Sequence, residues 1–161
     1  FDRDQFSEID IDSVLQEIFS ELESIQLNSC LGDVLEKNRS VDSKYTISDR
    51  LLAGHKRRRE EHKKKGNGFG FSVFNRTSPY CNTISARYYK DGSEILINQS
   101  DVNKNPRKLT PRECARIQGF PEDFMLPEIR SKWMKLIGNS VSVPVIESLS
   151  SQVVNTGVFD K

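Results

Sequence analysis

Residues 107–121 read RKLTPRECARIQGFP, and the rest of the chain takes its place around them. Thr110 suits a helix N-cap, Pro111 suits the first helical position because its missing N–H would have no intrahelical partner, and Glu113 stands where a capping box wants a carboxylate. The spacing predicts a short helix from Pro111. Cys114, Ala115 and Ile117 can face a core, Arg112 and Arg116 lie four apart on another side, and Gly119 ahead of Phe120-Pro121 ends it. By capping and charge alone this is a capped surface helix, with Thr110, Glu113 and Arg116 spaced to serve that helix and its neighbours.

Immediately upstream lies a polar loop, NQSDVNKNP at 98–106. Before it come strand-like segments: FGFSVFN from Phe69, NTISARYY at 82–89 and EILIN at 94–98, with Lys90-Asp91-Gly92-Ser93 as the turn between the last two. A small antiparallel sheet is expected. Asn75 to Cys81 would join its first two strands through Ser78-Pro79, leaving Arg76 exposed in the loop. Downstream, a helix is expected at 129–137 around Trp133, and another from Pro144 through Val154.

Further back, Thr46-Ile47-Ser48 introduces a helix over about Asp49 to Lys65, with Ser48 as N-cap and Gly66 as terminator. Residues 55–65, HKRRREEHKKK, hold seven Lys/Arg against two Glu. One reading is a solvated face with cations favourably placed near a helix C-terminus. The adjoining residues favour another: Gly66-Asn67-Gly68-Phe69-Gly70-Phe71 is a flexible loop, interleaved with aromatics, that permits close backbone approach to a duplex. Neither a Lys-Ser/Thr pair nor a strand-before, helix-after context makes it a phosphate loop of nucleotide enzymes.

The charge is unevenly spread. Residues 1–40 carry ten acids and three bases, whereas residues 41–161 carry thirteen acids and twenty-one bases, a balance of +8 suited to a polyanion. Within the acidic part, DSVLQEIFSELESI at 12–25 puts Val14, Leu15, Ile18, Phe19, Leu22 and Ile25 on one helical face, either an internal core face or a docking face. Glu36 to Ser43 reads as a linker. Three cysteines without metal-like spacing or a secretory leader suggest buried thiols in a reducing cytoplasm, with no metal. No apolar run approaches the roughly 18 residues of a membrane span. Starting at Phe1, the chain reads as a piece of something longer.

The string R-x-L-T-x-R-E-x-x-R-x-Q-G-F-P closely resembles the signature closing the target-recognition region of the DNA cytosine-5 methyltransferases. IGNSV at 137–141 looks like that family's last motif. The resemblance spans about Thr46 to Val154. Within it, KGNGFGFSVFNRTSPYCNTISARYYKDGSEILI at 65–97 looks like the recognition region of the bacterial subgroup acting on CCWGG-type sites. Thr83-Ile84 falls where the family carries a Thr-Leu pair, and Phe1-Asp2-Arg3-Asp4 looks like the stretch after the family's eighth motif, at the end of the catalytic half.

That resemblance implies an α+β fold: a small target-recognition domain with a short antiparallel sheet and flanking helices, plus C-terminal helices that pack on an absent catalytic domain. The corresponding divisions are 1–45, 46–128 and 129–161. The family's chemistry uses a Pro-Cys nucleophile on cytosine C6, a Glu at N3, a Gly-rich loop for S-adenosylmethionine and a flipped base. None of these elements is in the chain; Cys81, between Tyr80 and Asn82, lacks the Pro-Cys-Gln context, so no catalytic residue is expected here. DNA contacts are expected from Lys56, Arg57, Arg58, Arg59, Lys63, Lys64 and Lys65 to phosphates, and from Asn67, Gly68, Arg76, Thr83 and Arg87 in or near the readout loops. Asn139 and Ser140 would approach the methionine end of S-adenosylmethionine, or else form a helix-capping turn with no ligand. The expected partners are double-stranded DNA and the catalytic half of the enzyme, in a bacterial cytoplasm at the nucleoid. A free-standing DNA-binding module and an inactive remnant are the alternatives.

Overall fold

A computed structural model describes residues 29–68, 70–86 and 94–155, together with Asp12, Gln16 and Ser20. By contacts the chain divides into two units, Ser29–Ser140 and a second made of Phe1–Asn28 with Val141–Lys161. The first unit contains helix α1 (Leu31–Val34), three 3-10 turns (Asn38–Ser40, Ser43–Tyr45 and Ser100–Val102), helix α2 (Asp49–Lys64), and strands β1 (Ser72–Phe74), β2 (Ile95–Ile97) and β3 (Arg107–Lys108). Helices α3 (Pro111–Ile117) and α4 (Arg130–Asn139) complete it. The second contains helix α5 (Val143–Asn155); Asp12, Gln16 and Ser20, spaced four apart, are helical and exposed, as the polar side of the expected 12–25 helix requires. That helix's apolar positions lie outside the described residues.

The α+β class holds, but the sheet is mixed rather than antiparallel. Its order is β1-β2-β3; β1 pairs parallel to β2 (Ser72 with Ile95, Phe74 with Ile97) and β2 pairs antiparallel to β3 (Leu96 with Lys108, Ile97 with Arg107). The expected middle strand accounts for the difference. Residues 82–86 are irregular, with Ile84 buried and Asn82 and Thr83 exposed, while 87–93, including Arg87 and the expected turn, lie outside the described residues. With no hairpin partner at 82–86, the long connection 75–94 returns the chain to the same end of the sheet, and a crossover of a dozen or more residues is what parallel pairing needs.

β2 is covered on both faces. Ile95, Leu96 and Ile97 have no exposed surface, and alternation sends them to two clusters. Ile95 and Ile97 join Leu31, Leu109, Cys114, Ala115, Trp133, Met134 and Ile137. Leu96 joins Ile47 and Phe71, with Leu51 and Leu52 of α2 packed alongside. The sheet therefore has α2 on one side and α3 with α4 on the other.

The 107–113 segment does more than cap. Thr110 and Glu113 form the expected box, Thr110 Oγ1 accepting from the Glu113 N–H at 3.2 Å and Glu113 Oε2 from the Thr110 N–H at 2.8 Å. Beneath it, Arg107 reaches Glu113 through two bonds of 2.8 and 2.7 Å, both side chains fully buried. The expected linker 36–43 is part of this network, a correction to its reading as a loose connector. Glu36 N–H donates to Glu113 Oε1 at 2.9 Å, and the buried Asn38 accepts from Arg107 Nε at 3.0 Å while donating to Asn98 O and Asp101 Oδ1. Without periodicity, a chain segment can still be fixed by side chains that answer a buried charge. Thr110→Ala, which removes one cap acceptor, is expected to lower stability by about 0.5–2 kcal/mol in urea unfolding; a loss above that range would mean that the hydroxyl serves the network beyond the cap, and one below it that the cap itself contributes little.

Candidate nucleic-acid interface

Helix α2 starts where its sequence dictates: Ser48 Oγ accepts from the Leu51 N–H at 3.3 Å, and Asp49 lies in the first turn. It ends in a Schellman turn. Gly66 takes φ +74°, its N–H bonds Lys63 O at 3.1 Å, and the Asn67 N–H bonds His62 O at 2.9 Å. This reversal brings the glycine loop back beside the helix. Arg59, Lys63, Asn67, Gly68, Phe71 and Ser72 line a groove of about 300 Å³, and the Arg59 guanidinium sits 5.2 Å from the centre of the Phe71 ring. The basic run and the loop, expected separately, thus form one surface.

Lys56, Arg57, Arg58, Arg59, Lys63, Lys64 and Lys65 are all exposed, as are Asn67, Gly68 and Thr83. They do not share one face. At 100° per residue, Lys56 falls on the same side of the helix as Arg59 and Lys63, which line the groove, while Arg57 and Lys64 point away from the sheet and Arg58 and Lys65 lie on the other side. Arg57 lies 3.8 Å from Glu61, an exposed i,i+4 pair that contributes little.

Arg76, expected to read bases, serves the fold. Its guanidinium donates to the carbonyls of Gly32, Leu35 and Glu36, capping the end of α1. Arg87 lies outside the described residues. The arginines of α3 are likewise internal: Arg112 donates to Pro121 O and Phe124 O, and Arg116 makes 2.6 and 2.9 Å bonds to Glu122.

Under α2 sits a cluster that no local pattern marks. His55, the buried residue of that helix, places Nε2 3.0 Å from Glu94 Oε2, and Glu94 Oε1 receives Lys108 Nζ at 2.6 Å. Phe71 packs against the imidazole with centroids 5.4 Å apart. Burial lowers the His55 pKa below its ordinary 6.5, opposed by the Glu94 carboxylate and aided by Arg58 and Lys108. The unfolded chain therefore takes up the proton first, so the contribution of neutral His55 is full above pH 6.5 and falls as pH drops through the lower folded value. The melting temperature should decline on acidification from about pH 7 to about pH 5, and His55→Gln should flatten that part of the profile; an unchanged profile in the variant would remove His55 as its source.

Burial raises the pKa of both Cys81 and Cys114, so these thiols are held protonated, opposite to what a nucleophile needs. Cys30 is half-buried. Among the described residues no group of three His, Cys, Asp or Glu is placed to hold a metal, and no helix is long and apolar enough to cross a membrane. At the end of α4, Asn139 is exposed, and Ser140 Oγ donates to Ile137 O at 2.6 Å. Ser140 thereby forms the capping turn, yet its oxygen can still accept, and the Asn139 amide can both donate and accept. That set fits an amino-acid ammonium and carboxylate such as S-adenosylmethionine carries.

The family model described as C-5 cytosine-specific DNA methylase matches residues 3–155. The chain is 54% identical over 138 residues to the type II methyltransferase M.DsaV of Dactylococcopsis salina, covering 86% of this chain and 38% of that protein. With M.SsoII of Shigella sonnei it shares 56% identity over 126 residues, covering 78% and 32%. It thus spans about a third of the length of these curated relatives. The S. pombe Dnmt2 methyltransferase structure superposes with a TM-score of 0.66 at 24% identity, over 92% of this chain and 47% of that one, a likeness of fold.

Proposed function

The chain belongs to the C-5 cytosine-specific DNA methylase family, and from that membership we propose that it is the target-recognition portion of a bacterial DNA cytosine-5 methyltransferase. It reads a short duplex site for a catalytic half that transfers methyl to cytosine C5. The observation that carries this reading is the groove in which the basic turn of α2 faces the glycine loop. Lys56, Arg59 and Lys63 hold phosphates and set register without reading sequence, while Asn67, Gly68 and Thr83 approach base edges. Arg87 joins them as a guanine reader; Arg76, occupied by three carbonyls, does not. Residues 46–128 form the recognition segment, and 129–161 return to the catalytic half after α4 has packed on the sheet's core. S-adenosylmethionine, when bound there, supplies the methyl group; Asn139 and Ser140 orient its amino-acid end. A CCWGG-type site is the target that the resemblance of residues 65–97 implies.

Without the family's Pro-Cys nucleophile and Gly-rich cofactor loop in its sequence, the chain alone transfers nothing. Purified chain incubated with labelled S-adenosylmethionine and mixed-sequence duplex should incorporate no label, and label should appear once the remaining two thirds of M.SsoII is joined to it. Incorporation by the chain alone, beyond contamination, overturns the reading.

A further inference from the structure

The motif at 137–140 and the Thr83-Ile84 pair, more than fifty residues apart in sequence, meet in the fold. A Cβ built on Gly138 would fall on the backbone of Ser85 and Ala86, 2.5 Å from the Ala86 Cα. The obstacle is main chain, so no side-chain rotation relieves it. Ile84 and Ile137, one residue before each side of this contact, are buried in the same cluster. The last turn of α4 is held from two further directions, by Gln118 Nε2 and Ser140 Oγ, which both donate to Ile137 O. Glycine within a helix costs about 0.5–1 kcal/mol relative to alanine, and here the space it leaves is filled by another segment's backbone. Residues 82–86 belong to no strand; this seat, the burial of Ile84 and the bond from Asn82 Nδ2 to Ser72 Oγ at 3.2 Å hold them in place. Close to this contact in sequence, Thr83 and Asn139 are exposed.

We propose that Gly138 is a positioning residue that couples the DNA-facing segment at Thr83 to the cofactor-facing residues Asn139 and Ser140. Residues 82–86 seated against the last turn of α4 hold Thr83 and the Asn139–Ser140 turn in place together; unseated, they hold neither, so each ligand selects the seated arrangement and raises the affinity of the other by the same factor. This rests on the recognition reading above.

The test uses the chain joined to the remaining two thirds of M.SsoII, with S-adenosylhomocysteine as the unreactive probe and a duplex selected from a random pool by the fusion itself. Adding S-adenosylhomocysteine without DNA should slow hydrogen exchange at the amides of 83–86. The duplex should tighten S-adenosylhomocysteine binding within the range of about 5–150-fold, and the reverse titration should return the same factor. Gly138→Ala should bring that factor close to one, and Ala86→Gly, which loosens the seat without a clash, should lower it in a folded protein. Exchange at 83–86 that ignores the probe, or a folded Ala86→Gly protein with undiminished coupling, overturns the inference. Duplex and probe binding independently in the unaltered fusion sinks this inference alone; failure to select any duplex sinks the recognition reading with it.

Discussion

Replacing Glu113 by alanine is expected to cost the fold about 3–5 kcal/mol, several times the cost of losing the Thr110 cap. The carboxylate accepts four bonds, two from Arg107 and one each from the N–H groups of Glu36 and Thr110, with both charged side chains fully buried. Removing it strands a guanidinium with no exposure to water, and an unpaired buried charge is among the largest single penalties a core can carry. The same carboxylate ties three stretches together, the segment before α3, the chain after α1 and α3 itself, so its loss should also lower cooperativity. Urea unfolding followed by tryptophan fluorescence, with Trp133 in the adjoining cluster, gives the midpoint and slope. The pair itself is not expected to be worth that much: Arg107→Met with Glu113→Leu, which removes both charges and keeps volume, should recover most of the loss. A double variant no better than Glu113→Ala would mean that the hydrogen bonds to Asn38 and the two N–H groups, rather than the stranded charge, dominate.

The second large effect concerns which cations meet DNA. If Lys56 and Lys63 both contact phosphates, changing the two to glutamine should weaken duplex binding roughly fiftyfold near 0.1 M salt and lower the slope of log affinity against log salt by about 1.8, because each contact contributes about 0.9. The matched pair Arg57→Gln with Lys64→Gln, on the side of α2 away from the sheet, removes the same charge and should shift both quantities by less than half as much. The loss should be alike for all duplex sequences, since phosphates carry no base information. Equal effects of the two pairs would point to diffuse attraction by net charge and dissolve the groove as a binding surface. Arg59 is left unaltered in this comparison because its contact with the Phe71 ring mixes packing with charge.

Much of the local structure was legible in the chain. The bounds of α2 follow from Ser48 and Gly66, those of α3 from Thr110, Pro111, Glu113 and Gly119, because caps and stops act over three or four residues and leave their mark at fixed spacing. The exposed basic turn and the glycine loop were likewise readable, and their meeting in one groove is the work of the Schellman turn between them. One overlooked signal was Gly138: a lone glycine inside a helical pattern usually has a packing reason.

What the sequence by itself determined is helices α2 and α3 with their ends, the places of α4 and α5, the α+β class, the family signature at 107–121 and the charge that suits a polyanion. Tertiary structure alone decided partners. Residues 82–86 alternate well enough for a strand, with Thr83 exposed and Ile84 buried, yet they join none, and β2 takes Ser72–Phe74 and Arg107–Lys108 as its neighbours. Arg76 reads in sequence as a free loop cation, yet three carbonyls at the end of α1 claim it. Glu113 reads in sequence as the carboxylate of a capping box on a surface helix, yet it is buried as the partner of Arg107 in a core ion pair. The last two share a reason: a guanidinium or a carboxylate has the same local signature whether it faces water, phosphate or a buried partner, and only the chain brought alongside it settles which of these it meets.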